Sequence, residues 1–148
     1  MSVDRGFVDE NSKARARLKA LVGRLSDADL ARPMPAGWTV AGVLGHVAFW
    51  DQRTLVLLDA WEKTGAVPPR LRAEDVDWIN DAGKPFLLAL STRQGADLGV
   101  SIAEAVDRKI ETLTDDIVAR IAAAGNPINL HRGEHRHEHL DQIEAALK

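Results

Sequence analysis

Apolar residues recur along this chain at intervals of three and four, and no segment alternates strongly between apolar and polar at period two. Helices are therefore the regular element that its hydrophobic pattern can bury. Val8, Leu18, Leu21, Val22 and Leu25, with Ala14 in the same stripe, predict a first helix over residues 8–25. Lys13, Arg15, Arg17 and Lys19 spread around that helix and read as a solvated face. Ser26 to Asp29 can cap a short turn, and Pro33, Pro35 and Gly37 break the chain before Trp38. Thr39 then caps a long second helix over residues 40–63, with Val43, His46, Val47, Trp50, Leu57 and Trp61 on one broad face. Gly65, Pro68 and Pro69 end it. A further helical stretch starts at Ala73 and runs toward Leu90, with Pro85 as an interruption or a first-turn residue.

Gly95 and Gly99 read as breaks ahead of a third helix that opens on the capping-box pair Ser101 and Glu104 and continues through Ile102, Val106, Ile110 and Leu113. Thr114 caps a short piece through Ile121, and Gly125-Asn126-Pro127 leads into the last helix. The expectation is an all-α chain, one domain over residues 1–148, with about four main helices and long connectors packed as a four-helix bundle.

Composition narrows the function. A net charge of −3 offers no bulk attraction for nucleic acid or for anionic lipid, so neither is expected as a partner. The chain has no cysteine, so it has no disulfide framework, no thiolate ligand and no thiol nucleophile, and any thiol chemistry must use an external thiol. Residues 1–11 are charged and lack an apolar core segment, and no run of about 18 apolar residues appears, so a cytoplasmic location is expected.

The histidines carry the chemistry. Four of the five fall between His131 and His139. On a helix, successive steps of four residues turn a side chain by only about 40°, which aligns His131, His135 and His139 and points His137 elsewhere, toward solvent. Two imidazoles at such spacing can share one divalent ion, and the spacing leaves both His131 with His135 and His135 with His139 open as the pair. The fifth, His46, stands in the apolar run from Val40 to Trp50, where a buried imidazole needs a hydrogen-bond or metal partner. One histidine from an early helix and two from a late one would build a site with an open position in a bundle core.

Taken together these segments resemble the DinB-like family of four-helix metalloproteins, which includes bacillithiol- and mycothiol-dependent transferases and isomerases. Trp38-Thr39-Val40 followed by Val43-Leu44-Gly45-His46-Val47-Ala48 resembles the start of that family's second helix with its single ligand. Asp77-Trp78-Ile79-Asn80 is similar to an Asp/Trp/Asn element of some members, and His135-Arg136-His137-Glu138-His139-Leu140 resembles the closing motif. The resemblance implies His46, His135 and His139 as ligands of a divalent metal, nickel or zinc. The sequence departs from the pattern at His131, and at Arg136, where relatives carry an aromatic residue.

What the resemblance implies for function is a metal-dependent enzyme acting on a small-molecule substrate, a transferase or isomerase with a low-molecular-weight thiol as co-substrate. A hydrolase of a reactive small molecule, as in self-resistance proteins, and a non-catalytic stress or ligand-binding protein, with the bundle forming a homodimer, are the alternatives. Among the remaining polar residues, Arg53 is placed to meet an anionic substrate or to snorkel, and Asn80 to bind a ligand or join helices. Asp51 and Gln142 are placed to orient the imidazoles, and Val43 and Trp50 to line the cavity. Metal affinity and the stability that comes with it are expected to fall as pH drops through about 6 to 7, the range in which free imidazole protonates.

Overall fold

The structure, a computed structural model, describes residues 3–148. The first helix, α1 (Gly6–Arg24), buries Phe7, Ala14, Leu18, Leu21 and Val22, so Phe7 rather than Val8 opens its core stripe. A short turn, α2 (Asp27–Leu30), is held by reciprocal bonds between Ser26 and Asp29, as its sequence suggests. The proline-rich connector folds into a tiny antiparallel ribbon, β1 (Pro33–Met34) with β2 (Trp38–Thr39). Its turn places Ala36 and Gly37 at φ 60° and 77°. The next helix, α3 (Val40–Thr64), starts where the Thr39 hydroxyl accepts the Gly42 N–H at 3.0 Å and stops at Gly65, whose φ of 68° is left-handed.

Beyond an irregular segment lies α4 (Ala73–Ala89), which runs through Pro85 without a break and buries none of its residues. It is followed by α5 (Thr92–Thr112), α6 (Asp115–Ala123) and α7 (Arg132–Leu147). The expected opening of the third helix at Ser101 is wrong by nearly three turns, because Ser91 and Gln94 form the capping box instead. Gly95 and Gly99 lie inside α5, where they let it approach α3. A Cβ on Gly95 would stand 2.7 Å from the Ala41 carbonyl oxygen, and one on Gly99 3.2 Å from that of Leu44.

Four helices close a ring in the order α1, α5, α3, α7, and α4 lies outside it against α3. This is the expected all-α bundle. The core falls into two apolar clusters. Leu18, Leu44, Ala96, Ala103, Leu140 and Ile143 belong to one, and Phe7, Leu58, Trp61, Val106, Ile110 and Leu130 to the other. At the boundary, each ring helix contributes buried polar groups: Asn11 from α1, Asp51 from α3, Asp107 from α5, and Arg132 and Arg136 from α7. Among the described residues no helix is long and apolar enough to cross a membrane.

Candidate metal centre

His46 projects from α3 and His135 and His139 from α7, and one ring nitrogen from each lies within 4.8 Å of the others. Ring centroids are separated by 5.4 Å for His46 and His135, 4.8 Å for His46 and His139, and 4.6 Å for His135 and His139. The Nε2 atoms of His135 and His139 face each other at 3.1 Å. On the far side of its ring, His139 Nδ1 is 2.9 Å from Gln142 Oε1, an acceptor, so that nitrogen carries the proton and Nε2 turns a lone pair inward. This is the orienting role expected of Gln142. His135 Nδ1 is buried with no partner. Trp38 packs edge-on against His46, ring centroids 5.7 Å apart.

Burial, with the neighbouring His139 adding to it, pushes the His46 imidazole down to about 4. Burial likewise pushes His135 down to about 3, with His139, Arg132, His46 and Arg136 contributing in the same direction. Both rings are therefore neutral at physiological pH, the state in which an imidazole offers a lone pair to a metal. Three convergent ring nitrogens, one of them oriented by a carbonyl and one on a half-satisfied ring, are a donor set that suits a divalent transition metal.

The other two histidines stand apart. His131 is not on the helical stripe at all, because α7 begins at Arg132; it is exposed and lies edge-on to Phe7 at 5.5 Å. His131 is thus not among the three histidines that converge. His137 is half-buried rather than solvent-facing, and its Nδ1 accepts a hydrogen bond from Arg17 Nη1 at 2.9 Å.

His46 and His139 form part of the wall of a cavity of about 710 Å³. Its apolar lining comes from Met34, Trp38, Val43 and Ala146, and its polar groups include Asn80, Lys84 and Gln142. Val43 is where it was expected. Trp50 is not in the wall; its indole N–H donates to Asn80 Oδ1 at 2.8 Å and so ties α4 to α3, with Asn80 reaching the cavity from the other side of that bond. Arg53 also stays out of the wall, its guanidinium 5.6 Å from the Trp50 ring centre. Lys84 went unnoticed in the sequence, where nothing marks it. Its ammonium donates to the Ala36 carbonyl and sits 5.3 Å from the Trp38 ring centre.

Asp51 does not orient an imidazole. It is fully buried and accepts from Arg132 Nε at 2.8 Å and Arg136 Nε at 3.2 Å. Arg136, the position at which the sequence departs from the resemblance, is a core residue with no exposure. Its only sequence signal was a four-residue spacing from Arg132, which also fits a solvated stripe. Arg15 and Arg17, read as solvated, pair across helices with Asp107 at 2.8 Å and Asp141 at 2.7 Å.

The helical ring and its histidine triad define a DinB-like bundle protein. More narrowly, residues 12–126 match the mycothiol maleylpyruvate isomerase N-terminal domain, and the chain belongs to that family. His46 lies inside the matched stretch, and His135 and His139 lie beyond it. No curated protein and no solved structure matches the chain.

Proposed function

We propose that this protein is a divalent-metal enzyme of small-molecule chemistry, with His46, His135 and His139 as ligands, nickel or zinc as the ion, and a low-molecular-weight thiol as co-substrate. The observation that supports it best is the convergence of three imidazoles, two of them in the wall of a cavity of about 710 Å³, a size suited to a small organic molecule. Family membership supports the thiol, since the chain has no cysteine of its own to act as nucleophile. The ion would supply Lewis acidity, making a thiol or water more acidic or a carbonyl more electrophilic. The protein's part is to present and shield. Gln142 fixes the His139 tautomer, and burial keeps His46 and His135 unprotonated. Trp38, Met34 and Val43 exclude water from the apolar body of a substrate, while Asn80 and Lys84 offer hydrogen bonds at the wall.

Cobalt(II) added to metal-free protein is expected to give a ligand-field spectrum, and 2-mercaptoethanol or azide to perturb it at about millimolar concentration or below, an interaction of roughly 4 kcal/mol. A spectrum indifferent to thiol, azide and imidazole alike would mark a closed, structural centre and end the enzyme reading.

A further inference from the structure

We propose that the buried ion cluster of Asp51, Asp107, Arg132 and Arg136 fixes the rotation of α7 about its axis, and through it the spacing of the three imidazoles, while adding little to the stability of the metal-free fold. The inference rests on the metal reading above and concerns positioning residues, none of which touches the cavity.

Along the turns of α7 that carry His135 and His139, the buried residues are Arg132, Gly133 and Arg136; buried apolar side chains start only at Leu140. From Arg132 to His139 the core-facing side chains are thus charged, and apolar packing acts on the helix only from Leu140 onward. Arg136 sets the rotation of these turns with a planar fork. Its Nη1 and Nη2 donate to the two oxygens of Asp107 on α5 at 2.8 and 2.7 Å, and its Nε donates to Asp51 on α3 at 3.2 Å. Nη1 also reaches the Asn11 carbonyl on α1 at 3.2 Å. One guanidinium thus bonds all three other helices of the ring, and a bidentate fork resists rotation in a way that a point charge does not.

Axial position is fixed as well. Asn11 donates to the Leu130 carbonyl and accepts from the Gly133 N–H, both at 2.8 Å. At Gly133 a Cβ would stand 2.9 Å from the Glu10 carbonyl oxygen, so α7 is seated directly on α1. On a helix, Arg132 and Arg136 share one stripe and His135 and His139 another, about 60° around, so a rotation that moved the arginines off Asp51 and Asp107 would carry both imidazoles away from His46.

The energetic half follows from desolvation. Buried ion sets cost so much to dehydrate that apolar replacement of similar volume is often neutral or stabilising. Asp51 and Asp107 balance Arg132 and Arg136 in charge, and Arg15, the partly exposed arginine that Asp107 also holds, keeps Glu111 at 4.0 Å, so the four can be replaced as a unit.

The test compares the wild type with a quadruple variant, Asp51→Leu, Asp107→Leu, Arg132→Met and Arg136→Met, and with Arg136→Lys, which keeps the charge and loses the fork. In chelator the quadruple variant should melt at or above the wild-type temperature, yet bind cobalt(II) at least tenfold more weakly and with an altered ligand-field spectrum. Arg136→Lys should show the same loss in affinity, and its metal-free crystal structure should show the His46 to His135 ring separation departing from 5.4 Å. Wild-type affinity and spectrum in either folded variant would overturn the positioning role. A quadruple variant that does not fold would overturn the energetic half and leave the positioning half to Arg136→Lys. Absence of a cobalt spectrum in the wild type would instead fail the metal reading, and the ring separation in Arg136→Lys would still decide the clamp.

Discussion

His135 faces two demands at once. His139 keeps its proton on Nδ1 for Gln142, so in the metal-free protein the proton between the two Nε2 atoms belongs to His135, whose Nδ1 is then an unmet acceptor. A metal held through His135 Nε2 would require that proton to move to Nδ1, which would make His46 and His139 the better-prepared ligands. His46→Ala is expected to abolish stoichiometric metal binding, measured by elemental analysis after purification without an affinity tag. His131→Ala, at an exposed position outside α7, should leave occupancy unchanged; a loss equal to that of His139→Ala would return His131 to the site.

The pH window also belongs to this scale. An unfolded imidazole takes its proton near 6.5, whereas folded His46 holds out to about 4 and His135 to about 3. Between those limits the unfolded chain binds more protons, so the stability these two groups contribute is complete above about 6.5 and is lost as pH falls toward 4 and 3. Urea unfolding of the metal-free protein should show that decline, and the double variant His46→Asn, His135→Asn should show a shallower one. The decline thus begins near the range of about 6 to 7 set by free imidazole and, because burial lowers His46 and His135, extends well below it.

At the scale of elements, the α3–α5 pair shows how glycine is misread. In the sequence Gly95 and Gly99 look like helix breakers; in the bundle they are the places where two backbones touch. Gly95→Ala would force its Cβ against the Ala41 carbonyl oxygen, and backbone cannot move aside cheaply. A loss of about 1–3 kcal/mol is expected from overpacking, larger than any gain in helix propensity, and denaturant midpoints at constant m-value would measure it. Gly23→Ala, with nothing within 4 Å of the new Cβ, is the control and should be neutral or mildly stabilising. The α4 helix teaches the converse. Its apolar residues Trp78 and Phe86 are 60% and 77% exposed, so helical periodicity identified the helix without revealing that the ring would leave it outside.

For the molecule as a whole, a metal bridging α3 and α7 would bind the native state alone, since unfolding separates residues 46 and 135 along the chain. An ion at about a hundredfold over its dissociation constant should then add about 2.7 kcal/mol and raise the melting temperature by several degrees, with chelator reversing the shift. Equal melting temperatures with and without chelator at neutral pH would argue against an occupied site. The sequence by itself determined the helical class and the caps at Ser26, Thr39 and Thr114, because periodicity and capping are local properties of the chain; i, i+4 spacing offered His131, His135 and His139 as partners for His46, and the family resemblance chose His135 and His139 among them. The start of α5 at Thr92, the exclusion of His131 by the first turn of α7, and the placing of Lys84 in the cavity wall came only with the tertiary structure. So did the burial of Arg136 between Asp51 and Asp107, charges 85 and 29 residues away along the chain. A lone Arg in an amphipathic helix reads as solvated, and only the packing of four helices decides that its counter-ions stand opposite it rather than water.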